Sequence, residues 1–185
     1  MIGSGETARW FVEEANAQGI VFQEAEPQRI HVLRDPPRYP GAEGTPRAGT
    51  PADSDLLWDW MQKFMREAVS HDPMPAREKV EDAIAHGKYL LWPVGGEPVS
   101  VAIIGRILKS AMSIGPVYTP PGKRGHGYAG SVTAALSERI FAEGKPAACL
   151  YTDLRNPYSN RCYAKIGFKP YCDSWYYLRA AAQLP

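Results

Sequence analysis

The chain has 185 residues, a formal charge of +1, and 44% hydrophobic against 22% charged residues. That is enough apolar material for one packed domain of ordinary size plus an extension. A near-neutral balance argues against a generic nucleic-acid or membrane surface, since both need a basic excess.

Residues 6–18 predict a short helix. Ala8, Phe11, Val12 and Ala15 share one face, and Gly19 suits its end. Ile20 to Phe22 and Ile30 to Leu33 predict a strand pair around the turn Glu26-Pro27-Gln28. Asp35 to Pro51, rich in Pro and Gly, predicts a connector. The front 45 residues are too few to fold alone. They are expected to pack on the core or on a second chain, which makes a homodimer an expectation. No apolar run approaches the ~18 residues of a membrane span. Met1-Ile2-Gly3-Ser4-Gly5-Glu6 lacks the basic and apolar regions of a secretory signal.

Asp53-Ser54-Asp55 offers an N-cap, and Leu56, Leu57, Trp60, Met61, Phe64 and Met65 follow at helical spacing. Prolines at 73 and 75 break the chain after His71 and Asp72. Ala76 to His86 predicts a second helix, with Gly87 just past its end. Tyr89 to Val94 and Val99 to Ile107 predict a hairpin about Gly95-Gly96-Glu97. Ala111 to Tyr118 is the next strand, and Tyr128 to Phe141 the next helix, ended by Gly144. Ala147 to Thr152 is a strand, Pro157 opens a helix at its first turn, and Phe168 to Leu178 supplies a last strand or hairpin. Cys149, Cys162 and Cys172 lack C-x-x-C spacing. They read as buried thiols in a reducing cytoplasm, with no disulfide frame and no metal site.

Between the strand ending at Tyr118 and the helix starting at Tyr128 lies Thr119-Pro120-Pro121-Gly122-Lys123-Arg124-Gly125-His126-Gly127. A strand, a Gly-rich turn and a helix N-terminus together present unpaired N–H groups and partial positive charge to an anion. Gly125 and Gly127 let a phosphate approach the main chain, and Lys123 and Arg124 are expected to add charge. Gly125-x-Gly127-x-x-Gly130 matches a dinucleotide fingerprint by letter. However, Asp153, the acid in range, is followed by no second mononucleotide half. A Walker loop, which ends in Gly-Lys-Ser/Thr, is absent.

Arg124-x-x-Gly127-x-Ala129 resembles the pyrophosphate motif R/Q-x-x-G-x-G/A of the GNAT superfamily of acyl-CoA N-acyltransferases. About 27 residues on, Asn156-Pro157-Tyr158-Ser159-Asn160-Arg161-Cys162-Tyr163-Ala164-Lys165-Ile166-Gly167-Phe168 resembles that family's N-x-x-A-x-x-x-Y-x-K-x-G-F, with Ser159 in place of Ala. The resemblance covers roughly residues 46 to 180, and looks most like the C-terminal half of tandem GNAT-like proteins. It implies an α/β (α+β) fold with a mixed, mostly antiparallel sheet and helices on both faces. It also implies a GNAT domain over 46–185, preceded by a 1–45 extension left from a preceding half-domain.

What the family implies for chemistry is transfer of an acetyl group from acetyl-CoA to a primary amine of a small molecule or peptide. The pyrophosphate would lie on the main chain of Arg124, Gly125, His126, Gly127, Tyr128 and Ala129. Pantetheine would run along the strand edge at Val117 and Tyr118, with the Tyr118 N–H as oxyanion donor. Asn156 would touch the pantetheine arm, and Tyr163 would act as general acid at the sulfur. The lesser alternatives are a helix cap for Asn156 and a core aromatic for Tyr163. Asp153 is the best-placed carboxylate for a base, or a turn residue. Glu97 and His126 are weaker bases. The alternative function is a module of the same fold that holds CoA or a regulatory ligand without turnover.

Overall fold

Glycines and prolines set most element ends, and the computed structural model, which describes residues 2–180, bears out most of them. The strands are β1 (Ile2–Ser4), β2 (Phe22–Leu33), β3 (Arg47–Ala48), β4 (Tyr89–Val94), β5 (Glu97–Ile107), β6 (Met112–Tyr118), β7 (Ala148–Asp153) and β8 (Lys169–Arg179). The helices are α1 (Gly5–Ala17), α2 (Ser54–Ala68), α3 (Arg77–Ala85), α4 (Tyr128–Ala142) and α5 (Pro157–Ile166). The strands form one sheet in the order β1-β8-β2-β7-β6-β5-β4-β3. Neighbours pair antiparallel except β6 and β7, which are parallel.

Both faces of the central strands are covered, which explains their nearly continuous apolar runs. Tyr89, Leu91, Val101, Ile103 and Tyr118 pack under α2 and α3, against Leu57, Trp60, Val80 and Ile84. Leu90, Ala102, Ile104, Ile114 and Leu150 pack on the other side, against Val132, Leu136, Ile140 and Ile166 of α4 and α5. Along β4 and from Val101 to Ile104 of β5, residues of opposite parity serve opposite layers. In β6, Ile114 and Tyr118 share a parity and serve opposite layers across the register shift with β5. Helix α1 lays Ala8 and Val12 on Tyr177 of β8.

The front segment departs from expectation. Glu26-Pro27-Gln28 is not a turn between two short strands. It is the middle of one long strand, β2, seated between β7 and β8. Pro27 is tolerated there for a local reason. Its carbonyl accepts from Leu154 N just past the end of β7, so its own nitrogen points the same way, beyond the last ladder bond. A bulge between Glu24 and Glu26 restores the register with β8. Since the segment finds its partners in its own chain, the argument from an unsupported front piece to a second chain falls away.

The connector is a strap across the α4 side. Arg38 N donates to Ile166 O at 3.0 Å, Ala42 N to Ser131 Oγ at 2.7 Å, and Trp92 Nε1 to Glu43 O at 2.8 Å. The Tyr39 ring lies so close to Gly130 that a Cβ there would overlap it. Asp53 also differs from expectation. It stands at the N-cap of α2 but makes no capping bond. Arg47 holds it in a two-pronged pair at 2.7 and 2.8 Å and keeps its carboxyl far below the usual range. Of the three cysteines expected to be buried, Cys149 is, while Cys162 and Cys172 are half-buried.

Candidate functional site

Strands β6 and β7 start side by side and part. They pair only at Met112–Ala148 and Ser113–Cys149, while β6 runs on to Tyr118 and β7 to Asp153. A notch therefore opens between them, and the last five residues of β6 have no strand partner on that side. On the other side β6 stays bound to β5, through Val117–Ala102 and Tyr118–Val101.

The chain leaves the notch through a short 3₁₀ turn, Pro121–Lys123, and enters α4 at Gly127. Gly127 has φ +84°, the left-handed region in which a side chain would be strained. No side chain caps this helix. The first intrahelical bond runs from Ser131 N to Gly127 O at 3.0 Å, so the N–H groups of Tyr128, Ala129 and Gly130 lie ahead of the ladder. Helix α4 is buried along most of its length, with Val132, Leu136 and Ile140 fully covered, so its N-terminus is firmly held.

The two expected cations point elsewhere. Arg124 donates through Nε to Thr119 O at 2.8 Å and through Nη2 to Glu67 of α2 at 2.5 Å. Its guanidinium also lies 5.9 Å over the Tyr118 ring. Lys123 pairs with Glu97 at 3.2 Å. Both charges expected to favour an anion at this turn are thus taken up by carboxylates, which leaves the main-chain N–H groups. Glu67 also accepts from the Tyr118 hydroxyl at 3.2 Å. Arg124 draws the Glu67 carboxyl down, and burial and then Glu67 push Tyr118 up.

Helix α5 borders the notch from β7. Asn156 does cap it, accepting from Ser159 N at 3.1 Å. Tyr163 packs its ring against the main core, 6.1 Å from Phe168, and burial raises its hydroxyl above the ordinary phenol range. Its hydroxyl has no hydrogen-bond partner among the described residues. Asp153 closes a turn, with Arg155 N at 2.8 Å and Arg155 Nε at 3.0 Å from Oδ1. The base candidate is thus already paired with a cation. His126 stacks on Tyr128, with ring centroids 5.5 Å apart, at the exposed lip of the turn. Val117 lies against the main core.

The fold as a whole is similar to that of solved structures. A solved acetyltransferase of the GNAT family from Novosphingobium aromaticivorans superposes with a TM-score of 0.63 at 16% identity, over 86% of this chain and 68% of that one. The chain has the GNAT fold. A GCN5-related N-acetyltransferase from Sphaerobacter thermophilus gives a TM-score of 0.69 at 18% identity, over 99% of this chain and 60% of its own length. N-acetylglutamate synthase from Neisseria gonorrhoeae, solved with coenzyme A and N-acetyl-glutamate, gives 0.50 at 14% identity, over 57% of this chain and 24% of that one. Residues 97–178 match the family described as FR47-like protein. No curated protein matches the sequence significantly.

The fold places Tyr118 at the end of β6, Gly127 at the start of α4 and Asn156 and Tyr163 at the cap and on the body of α5, with the Tyr118 ring on the α2–α3 side of the sheet and the Tyr163 ring on the α4–α5 side. It leaves Glu97 aside, in an ion pair with Lys123. It also adds residues that the sequence hid. Tyr39 of the strap donates to Gly127 O at 3.3 Å. Glu26 and Gln28 lie buried in β2 beside Asp153, facing the α2–α3 side. Reading their segment as a turn removed them from consideration. A buried Glu and Gln two residues apart on a strand were the available signal. Among the described residues, no cluster of three or more His, Cys, Asp or Glu side chains could hold a metal ion, and no helix is long and apolar enough to cross a membrane.

Proposed function

We propose that this protein is an N-acetyltransferase that uses acetyl-CoA and a primary amine acceptor in a ternary complex. The observation that carries the reading is the adjacency of the β6/β7 notch to an uncapped, glycine-entered helix. One offers a strand edge and the other a set of free N–H groups, a few residues apart in the chain. Acetyl-CoA would supply an activated thioester.

The residues divide as follows. The N–H groups from Gly125 to Ala129 would hold the pyrophosphate, aided by the α4 dipole. The free edge of β6 at Val117 and Tyr118 would hold the pantetheine amides as a strand partner does. The Tyr118 N–H would face the thioester oxygen as charge builds on it. Tyr163, kept protonated by burial, would donate a hydrogen bond to the departing sulfur. Asn156 would reach the pantetheine arm with the part of its amide that does not cap α5. The three unpaired cysteines support a reducing, cytoplasmic setting.

The test is a titration with acetyl-CoA followed by a thiol-release assay over a library of primary amines. Binding with release on at least one amine is the expected outcome. Binding without release on any amine would favour the non-catalytic module. No binding would contradict both.

A further inference from the structure

On the α2–α3 side of β2 and β8 lies a group of acceptors with no cation. The register pairs Glu26 with Tyr176 and Gln28 with Ser174, so all four side chains share one face. Glu26 is only 6% exposed, and no ion pair is formed by it among the described residues. Arg29, the nearest cation in sequence, has the opposite parity and is committed to Asp173 at 2.6 Å. Gln28 donates through Nε2 to Glu26 Oε1 at 3.0 Å. A carboxylate can only accept, so this bond fixes the amide and leaves Gln28 Oε1 as the other end. That oxygen is buried and has no partner, in a residue 9% exposed. The α2–α3 loop closes the group from above. Tyr176 donates to Asp72, and the His71 ring lies 4.9 Å from that of Tyr176. The Tyr176 hydroxyl is pushed up to about 12, first by burial, then by Asp72 and Glu26.

A buried carboxylate without a cation is costly, and so is an orphaned amide oxygen. One kind of ligand repairs both. A primary ammonium carries positive charge and three N–H donors, so it can reach a carboxylate and an amide oxygen together. An anion would meet Glu26 and Asp72 in repulsion, and a neutral alcohol has one donor and no charge.

We propose that Glu26 and Gln28 bind the ammonium group of the acceptor, with Asp72 and Tyr176 closing over it. This rests on the transferase reading and deepens it, because it assigns the charge state and class of the acceptor to residues of the front strand. Gln28 sits across the β2–β7 ladder from Asp153, the last residue of β7, at the end where β7 has parted from β6. The amine would arrive charged and be selected against neutral analogues, and it would attack the thioester only after giving one N–H proton to the Glu26 carboxylate, which leaves the nitrogen its lone pair.

The test uses the full chain and ligand-observed NMR titration with butylamine, phenethylamine and putrescine, each beside its alcohol analogue. At least one ammonium probe should bind and its alcohol should not. Glu26→Gln, which keeps size and removes charge, should weaken that probe about 10-fold or more. Gln28→Leu should weaken it about 3- to 10-fold and carries the test if Glu26→Gln melts early. Failure of all three probes to bind overturns the proposal, as does unchanged affinity in the variants. Acetyl-CoA is titrated in parallel. Loss of that binding in the wild type would sink the transferase reading, while the amine data still report on Glu26 directly.

Discussion

Helices α4 and α5 both leave the C-terminal end of a strand in the same sheet, and both border the same notch. They treat their first N–H groups in opposite ways. Helix α5 begins with Asn156, whose amide oxygen takes Ser159 N, and with Pro157, which has no N–H to satisfy. Helix α4 begins with Gly127 in the left-handed region, with no capping side chain, and with its nearest cations drawn to Glu67 and Glu97. A helix this well buried has no need to leave its end open for stability. The contrast separates a terminus closed by the chain from one that the chain leaves open.

The largest expected effect comes from making α4 resemble α5. Asp tolerates the left-handed region better than most residues, and at position 127 its carboxylate would set negative charge beside the free N–H groups. Gly127→Asp should cost some stability, because its Cβ would lie 3.1 Å from Tyr39 Oη on a left-handed backbone. It should lower the acetyl-CoA affinity of the folded protein by at least about 100-fold, read by calorimetry. The reverse change on α5 is smaller. Asn156→Ala should cost about 1 kcal/mol of stability, a few degrees in melting temperature, with a modest loss of acetyl-CoA affinity. If Asn156→Ala weakened acetyl-CoA as much as Gly127→Asp, the contrast between the two termini would be broken.

The smallest effect concerns the β2–β7 ladder beneath α5. His31 is 4% exposed, its Nε2 lies 3.2 Å from Thr152 Oγ1, and its Nδ1 has no partner. Burial, with Arg29 nearby, lowers its pKa from the ordinary 6.5. The unfolded chain therefore takes up the proton first as pH falls. The stabilisation is full above about pH 6.5 and declines below it, toward the folded-state value. Melting temperature should drop on acidification through that range, and His31→Gln should flatten the drop.

Local chemistry made much of this molecule legible. Gly19, Gly87, Gly144 and Gly167 each follow a helix, and Gly95-Gly96 turns the β4–β5 hairpin. The two spaced motifs at 124–129 and 156–168 fall at the start of α4 and along α5, the elements that follow the two parting strands β6 and β7. Long-range pairing was not legible. Pro27 signals a turn in isolation. Only its neighbours in the sheet show that its missing N–H faces a position where no ladder bond is due. Arg124 looked like a phosphate ligand because Glu67, 57 residues earlier, gives no local sign of contact. The splay of β6 from β7 has no sequence signal, because it is defined by bonds that are not made. The same loss of long-range information hid Glu26 and Gln28.

The central claim is that the open N-terminus of α4 and the free edge of β6 receive an acyl-CoA. The most direct measurement is calorimetric titration of the wild type and Gly127→Asp with acetyl-CoA, side by side. The account predicts one-to-one binding by the wild type and none measurable by the variant over the same concentrations. Equal binding by both would contradict the placement at α4, and no binding by either would contradict the function.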